Sequence, residues 1–89
     1  MNAVLTQLLA TEGNELYLLP LMDYTNVGVD EELSFFDLSA RARRHREILL
    51  GWHLDGMLRP QLNPPDKHVR RKGWTETDRL IVLADYDWQ

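Results

Sequence analysis

Three observations predict an α+β fold: a small mixed β-sheet of about four strands, a helix packed on one of its faces, and a short N-terminal helix. Apolar runs of strand length at Glu15–Leu21, Glu47–Leu54 and Leu80–Ala84 are bounded by turn residues. Between the first two, Ser34–Arg46 shows helical spacing and a cap. Asp55-Gly56 and Pro64-Pro65 punctuate a shorter segment, Met57–Asn63, that reads as a return strand. Strands with a single embedded helix bury that helix on one side of the sheet.

Taken in order, Val4, Leu5, Leu8 and Leu9 recur at helical spacing over Asn2–Thr11, and Gly13-Asn14 supplies a stop. The absence of a convincing cap at its start leads us to expect a preceding segment, with residues 1–13 as the end of a linker helix and 14–89 as one domain. Glu15–Leu21 is nearly all apolar, and Pro20, which has no amide donor, belongs at its end or on an edge. Ser34 with Asp37 three residues on forms a variant capping box. Phe35, Leu38 and Ala42 then share one helical face, with Phe36 and Ala40 adjoining. Arg41, Arg43, Arg44 and Arg46 sit towards the negative end of the helix, and Asp37 sits at the positive end. Pro60 makes Met57–Asn63 an edge strand. Trp74–Asp85 reads as a turn feeding a last buried strand, and residues 86–89 form a tail.

Bulk properties narrow the function. With 89 residues there is room for one domain, small enough that association would add to its stability. A content of 44% apolar and 27% charged residues is that of a globular protein. The net charge of −4 offers no general attraction to phosphate and argues against nucleic acid as a partner. With no cysteine there are neither disulfides nor thiolate metal sites. No apolar run reaches the ~20 residues needed to span a bilayer. The segment is therefore expected to be soluble.

Few residues suggest chemistry. The only serines, Ser34 and Ser39, fall in the helix without a glycine elbow, so catalysis is not expected. His45, His53 and His68 are too scattered for a metal motif. Asp30, Glu31 and Glu32 could offer oxygens to calcium, although acids before a helix more often answer its dipole. His68, Arg70, Arg71 and Lys72 form a basic loop that could take a phosphorylated ligand or remain a solvated surface. Phe35, Phe36, Leu38, Ile48, Leu50 and Trp52 are the candidates for core and subunit contact. Trp88, beside the terminus, is a further contact candidate.

Three blocks carry a family resemblance. Glu31-Glu-Leu-Ser-Phe-Phe-Asp-Leu38 is followed by Arg41-Ala-Arg43; Glu47-Ile-Leu-Leu-Gly-Trp-His-Leu54 is followed by Asn63-Pro-Pro-Asp-Lys67; Trp74-Thr-x-x-Asp78 is followed by Leu80-Ile-Val-Leu83. In this order they resemble the C-terminal ligand-sensing subdomain of RCK/TrkA-type potassium-transport regulators, closest to CASTOR/POLLUX ion channels. The resemblance implies a cytosolic regulatory domain that couples effector binding at a subunit interface to gating. It further implies a homo-oligomer, an upstream Rossmann-type subdomain and pore, and calcium or a nucleotide second messenger as effector. No glycine-rich phosphate loop follows a strand here, so nucleotide binding by that motif is excluded. The alternative is a small-molecule-binding accessory domain of a transporter or metabolic enzyme; a self-contained hydrolase subunit is more remote.

Overall fold

The computed structural model describes residues 15–26 and 28–84. The helix expected over residues 2–11, the tail 86–89 and Trp88 lie outside the described residues. In chain order come β1 (Glu15–Pro20), a 3-10 turn (Leu21–Tyr24), α1 (Phe35–Arg44), β2 (Glu47–His53), β3 (Gln61–Leu62) and β4 (Arg79–Ala84). The four strands form one sheet in the order β1-β4-β2-β3, with α1 packed on one face. The α+β class, the four strands and the single packed helix are as the sequence predicts.

The pairing pattern corrects one expectation. Every neighbouring pair is antiparallel, not mixed. A strand–helix–strand unit usually makes a parallel crossover, and β1 and β2 do run in the same direction. However, β4 inserts between them and pairs antiparallel with both, giving a split β-α-β arrangement. The parallel relation survives as direction without hydrogen bonding.

The return strand is shorter than expected. Its turn forms, with the Met57 amide donating to the Leu54 carbonyl at 3.0 Å and Gly56 at φ +89°. Pairing resumes only at Gln61, because Pro60 offers no amide donor and Leu58 is 97% exposed, with no core to enter. β1 is a partly buried edge strand ending at Pro20, which accords with that residue's missing donor.

Cross-strand registers sort the sheet into rows. Towards α1 lie Leu19–Leu80–Trp52–Gln61 and Tyr17–Val82–Leu49. Leu38, Leu80 and Val82 have no exposure and Trp52 only 1%, so the core sits here. Phe35 meets Trp52 edge-on at 5.0 Å. On the opposite face lie Leu18–Ile81–Gly51–Leu62 and Leu16–Leu83–Ile48. Between Leu49 and Gly51 the register shifts, and Gly51 lies against β3 so closely that a Cβ there would overlap the Gln61 carbonyl and sit 2.8 Å from the Leu62 Cα.

The helix start is as the sequence spells it. The Ser34 side chain accepts from the Asp37 amide at 3.0 Å, and the Asp37 carboxylate accepts from the Ser34 amide at 2.9 Å. A further amide of the first turn, that of Phe36, donates to the Lys67 carbonyl at 3.1 Å. The Asn-Pro-Pro-Asp-Lys block thus brings a carbonyl to the helix: Pro64 is buried, while Asn63 and Asp66 turn the chain at φ 49° and 54°.

Candidate functional site

Two loops, residues 26–34 and 63–78, are rich in polar side chains, and the fold stitches them together. Leu33 and Arg71 exchange both backbone hydrogen bonds, at 2.8 and 2.9 Å. The Gly73 amide donates to the Asp30 carboxylate at 2.8 Å, and the Trp74 indole N–H donates to the Glu31 carbonyl at 3.1 Å. Phe35 and Trp52 anchor this seam from the core, and Trp74 tilts against Trp52 at 6.2 Å.

The acidic run is therefore largely committed to the protein. Both Glu31 carboxylate oxygens accept from Arg41, at 2.7 and 2.8 Å, and Oε1 also accepts from the Asn26 amide at 2.7 Å. The Arg41 hydrogen bonds, aided by the Asn26 amide and opposed by desolvation, hold the Glu31 carboxyl down at about 2. The same contact raises Arg41. Asp37 is also lowered, first by the Ser34 amide, with the Arg70 and Arg41 charges contributing less. Glu32 is exposed. Among the described residues no three His, Asp or Glu side chains come together as a metal site.

The basic loop is divided. The Arg71 guanidinium lies 5.2 Å from the Trp52 ring centroid, covering an otherwise buried indole. Arg71 and Lys72 line a cleft of about 240 Å³ together with Trp74, Thr75, Asp55 and Asp78. Arg70 is not part of that lining; it lies on the Asp37 side, near the helix start. His53 turns its ring to the Met57 carbonyl at 3.0 Å, and His45 meets Tyr24 edge-on at 5.7 Å. A second cleft, about 360 Å³, lies between the 3-10 turn and the end of α1, where Arg41, Arg44 and His45 face Asp23 and Asn26.

The core and contact candidates also separate. Phe35, Leu38 and Trp52 are buried, and Leu50 is half-buried at the register shift. Phe36 and Ile48 are 54% and 57% exposed, but on opposite sides of the sheet. No single flat surface contains both.

The sequence marks Asp78 as part of a turn block, and the structure makes it the hub of the turn before β4. Asp78 is only 4% exposed, and its carboxylate accepts the Asp55 amide at 2.6 Å and the Thr75 amide at 2.7 Å. Its carbonyl accepts the Leu21 amide at 3.0 Å, and Thr77 donates to the Asp55 carboxylate at 3.1 Å. One acid thus ties together the β2–β3 loop, the turn and the end of β1. The available signal was an aspartate three residues after a threonine at a turn; Asp55, 23 residues away, gave none. The site so built can present cations and an aromatic edge to a ligand.

No protein-family model matches the chain. Curated proteins do. The chain is 41% identical over 85 residues to the ion channel CASTOR of Lotus japonicus, which covers 96% of this chain and 10% of that protein. It is 39% identical over 84 residues to a probable ion channel POLLUX of Arabidopsis thaliana, covering 94% of this chain and 10% of the relative. The ion channel DMI1 of Medicago truncatula is 40% identical over 84 residues, 94% of this chain and 9% of its own length. The chain thus spans about a tenth of the length of these relatives.

Proposed function

The chain is a CASTOR/POLLUX-type ion-channel segment, and from that premise we propose that it is a cytosolic regulatory and oligomerisation domain of a cation channel, comparable to the C-terminal subdomain of RCK proteins. In this reading an effector bound near a subunit contact favours one arrangement of paired domains, and the pore follows. The observation that carries it is the identity of about 40% along nearly the whole chain to proteins named as ion channels. Among the described residues no helix is long and apolar enough to cross a membrane, so a gating role rests on contacts made outside the bilayer.

The cleft beside Trp74 is the effector site in this proposal. Arg71 and Lys72 offer two positive charges there, and Trp74 offers an aromatic edge, a combination suited to a phosphate-bearing effector such as a nucleotide second messenger. Calcium fits less well, because Asp30 and Glu31 already accept protein N–H groups. For self-association the helix side is the candidate: Phe36 is 54% and Val69 46% exposed there.

Light scattering over a concentration series, with and without cyclic and linear adenine nucleotides, tests both parts. Association that is strengthened by a nucleotide and lost in Phe36→Asp supports the reading, as does a nucleotide response lost in Lys72→Ala. A strict monomer at every concentration, indifferent to all of them, overturns it.

A further inference from the structure

The end of α1 carries a dense basic cluster in a chain whose net charge is −4. Arg41, Arg43, Arg44 and Arg46 fall together there, and no carboxylate occurs from Leu38 to Arg46. Arg41 is committed to Glu31 and to the Tyr24 carbonyl. Arg43, Arg44, His45 and Arg46 are exposed, and Arg43 and Arg44 make no hydrogen bond or ion pair among the described residues. A helix end attracts cations, but its dipole amounts to about half a charge, which one arginine more than answers. Arg46 lies past the helix end at φ 62°, a conformation that glycine usually supplies there. Two carboxylates are near. Glu47 is buried and accepts from the Tyr24 hydroxyl, and Asp23 faces Arg44 and His45 across the cleft of about 360 Å³ without pairing to either. The cluster therefore remains basic.

We propose that it rests on an anionic bilayer surface, with its arginines among the lipid headgroups. A cluster of arginines on an amphipathic helix suits such a surface, and a segment of an ion channel is held beside a membrane by the rest of its protein. The proposal rests on that channel reading and on neither the effector nor the self-contact, since Phe36 lies at the other end of α1. Screening over ~10 Å at 0.1 M salt limits what the surface feels to nearby groups, so the net negative charge elsewhere does not prevent contact. An acidic protein matches the charge but fits the surface less well. Protein contacts centre on apolar or aromatic anchors, and the exposed positions from Ala40 to Arg46 offer only Ala40, three arginines and His45.

Sedimentation of the full chain with vesicles of phosphatidylcholine, with and without about one-third phosphatidylserine, tests this at about 0.1 M salt. The parent should bind the anionic vesicles only. Each arginine near such a surface raises partitioning about fivefold, so Arg43→Gln with Arg44→Gln should lower it about 25-fold. Both side chains are unbonded, so circular dichroism should show an unchanged fold, and Arg43→Lys with Arg44→Lys should keep the binding. Arg70→Gln with Lys72→Gln, in the basic loop, should keep it as well. A parent that does not sediment, or that binds neutral vesicles equally, overturns the proposal. So does an equal loss in the loop variant, which moves the contact elsewhere. Capture of a polyglutamate peptide through Arg43 and Arg44 without vesicle binding gives the surface to an acidic protein and overturns it equally. Self-association and the nucleotide response, measured without lipid, stand or fall separately.

Discussion

Removing the Asp78 carboxylate should be the most damaging single change on the polar side of this domain. In Asp78→Ala, the amides of Asp55 and Thr75 lose the oxygens that sit 2.6 and 2.7 Å from them. A hydrogen bond to a charged group contributes about 1.5–3 kcal/mol, so two contribute ~3–6 kcal/mol. The Thr75 side of the turn is exposed, and water can replace part of what is lost there, which places the expected cost near the lower end. We expect a destabilisation of about 3 kcal/mol, large against the ~5–15 kcal/mol typical of a whole domain. In a chain of this size that lowers the melting temperature by roughly 12–24 °C. Urea unfolding followed by tryptophan fluorescence measures it, with Thr77→Val as a companion that removes only the exposed hydroxyl bonded to Asp55 and should cost at most about 0.5 kcal/mol. If Asp78→Ala unfolds within about 0.5 kcal/mol of the parent, the carboxylate is not the clamp described here.

Other outcomes follow from the same geometry. Glu31 has its folded pKa depressed to about 2 from an ordinary 4.5, so its ionised form stabilises the fold fully above about pH 4.5, and that contribution disappears as pH falls towards 2; Glu31→Gln should flatten this part of the acid-unfolding curve, measured by circular dichroism. Gly51→Ala places a methyl group against the β3 backbone and should cost about 1–3 kcal/mol. Amide exchange at Asn63, whose N–H donates to the Leu50 carbonyl at 2.8 Å, should accelerate in that variant before the β1–β4 amides do. Ser34→Ala removes the helix cap and should lower stability by about 1 kcal/mol, while Ser34→Thr should retain most of it.

The local elements were legible because their causes are local. Ser34 and Asp37 spell a capping box, Phe35, Leu38 and Ala42 spell the buried stripe, and the structure returns both. The apolar runs gave β1, β2 and β4, and Pro20 and Pro60 marked the two edges. Sequence could not say that β4, last in the chain, pairs between the first two strands; that choice belongs to long-range packing, and it replaced the expected mixed sheet with an antiparallel one. Nor could it separate core from surface among neighbouring apolar residues such as Leu49 and Ile48, which the strand alternation sends to opposite faces.

The candidate site divides along the same line. The three blocks that resemble CASTOR/POLLUX channels were readable as wording, but their physical reasons appear only in three dimensions. Lys67 lends its carbonyl to the helix start, Asp78 clamps the turn before β4 to the β2–β3 loop, and Arg71 shields Trp52. The pair between Glu31 and Arg41 joins a loop to a helix ten residues on, outside any local spacing rule, and it commits both Glu31 carboxylate oxygens to the protein. Sequence alone marked α1, the three longer strands and the family resemblance, since all are written in short-range patterns, whereas the return strand is shorter than its segment suggested. Tertiary structure decided which charges are already bonded and which apolar side chains stay exposed, because both depend on contacts between residues far apart in the chain.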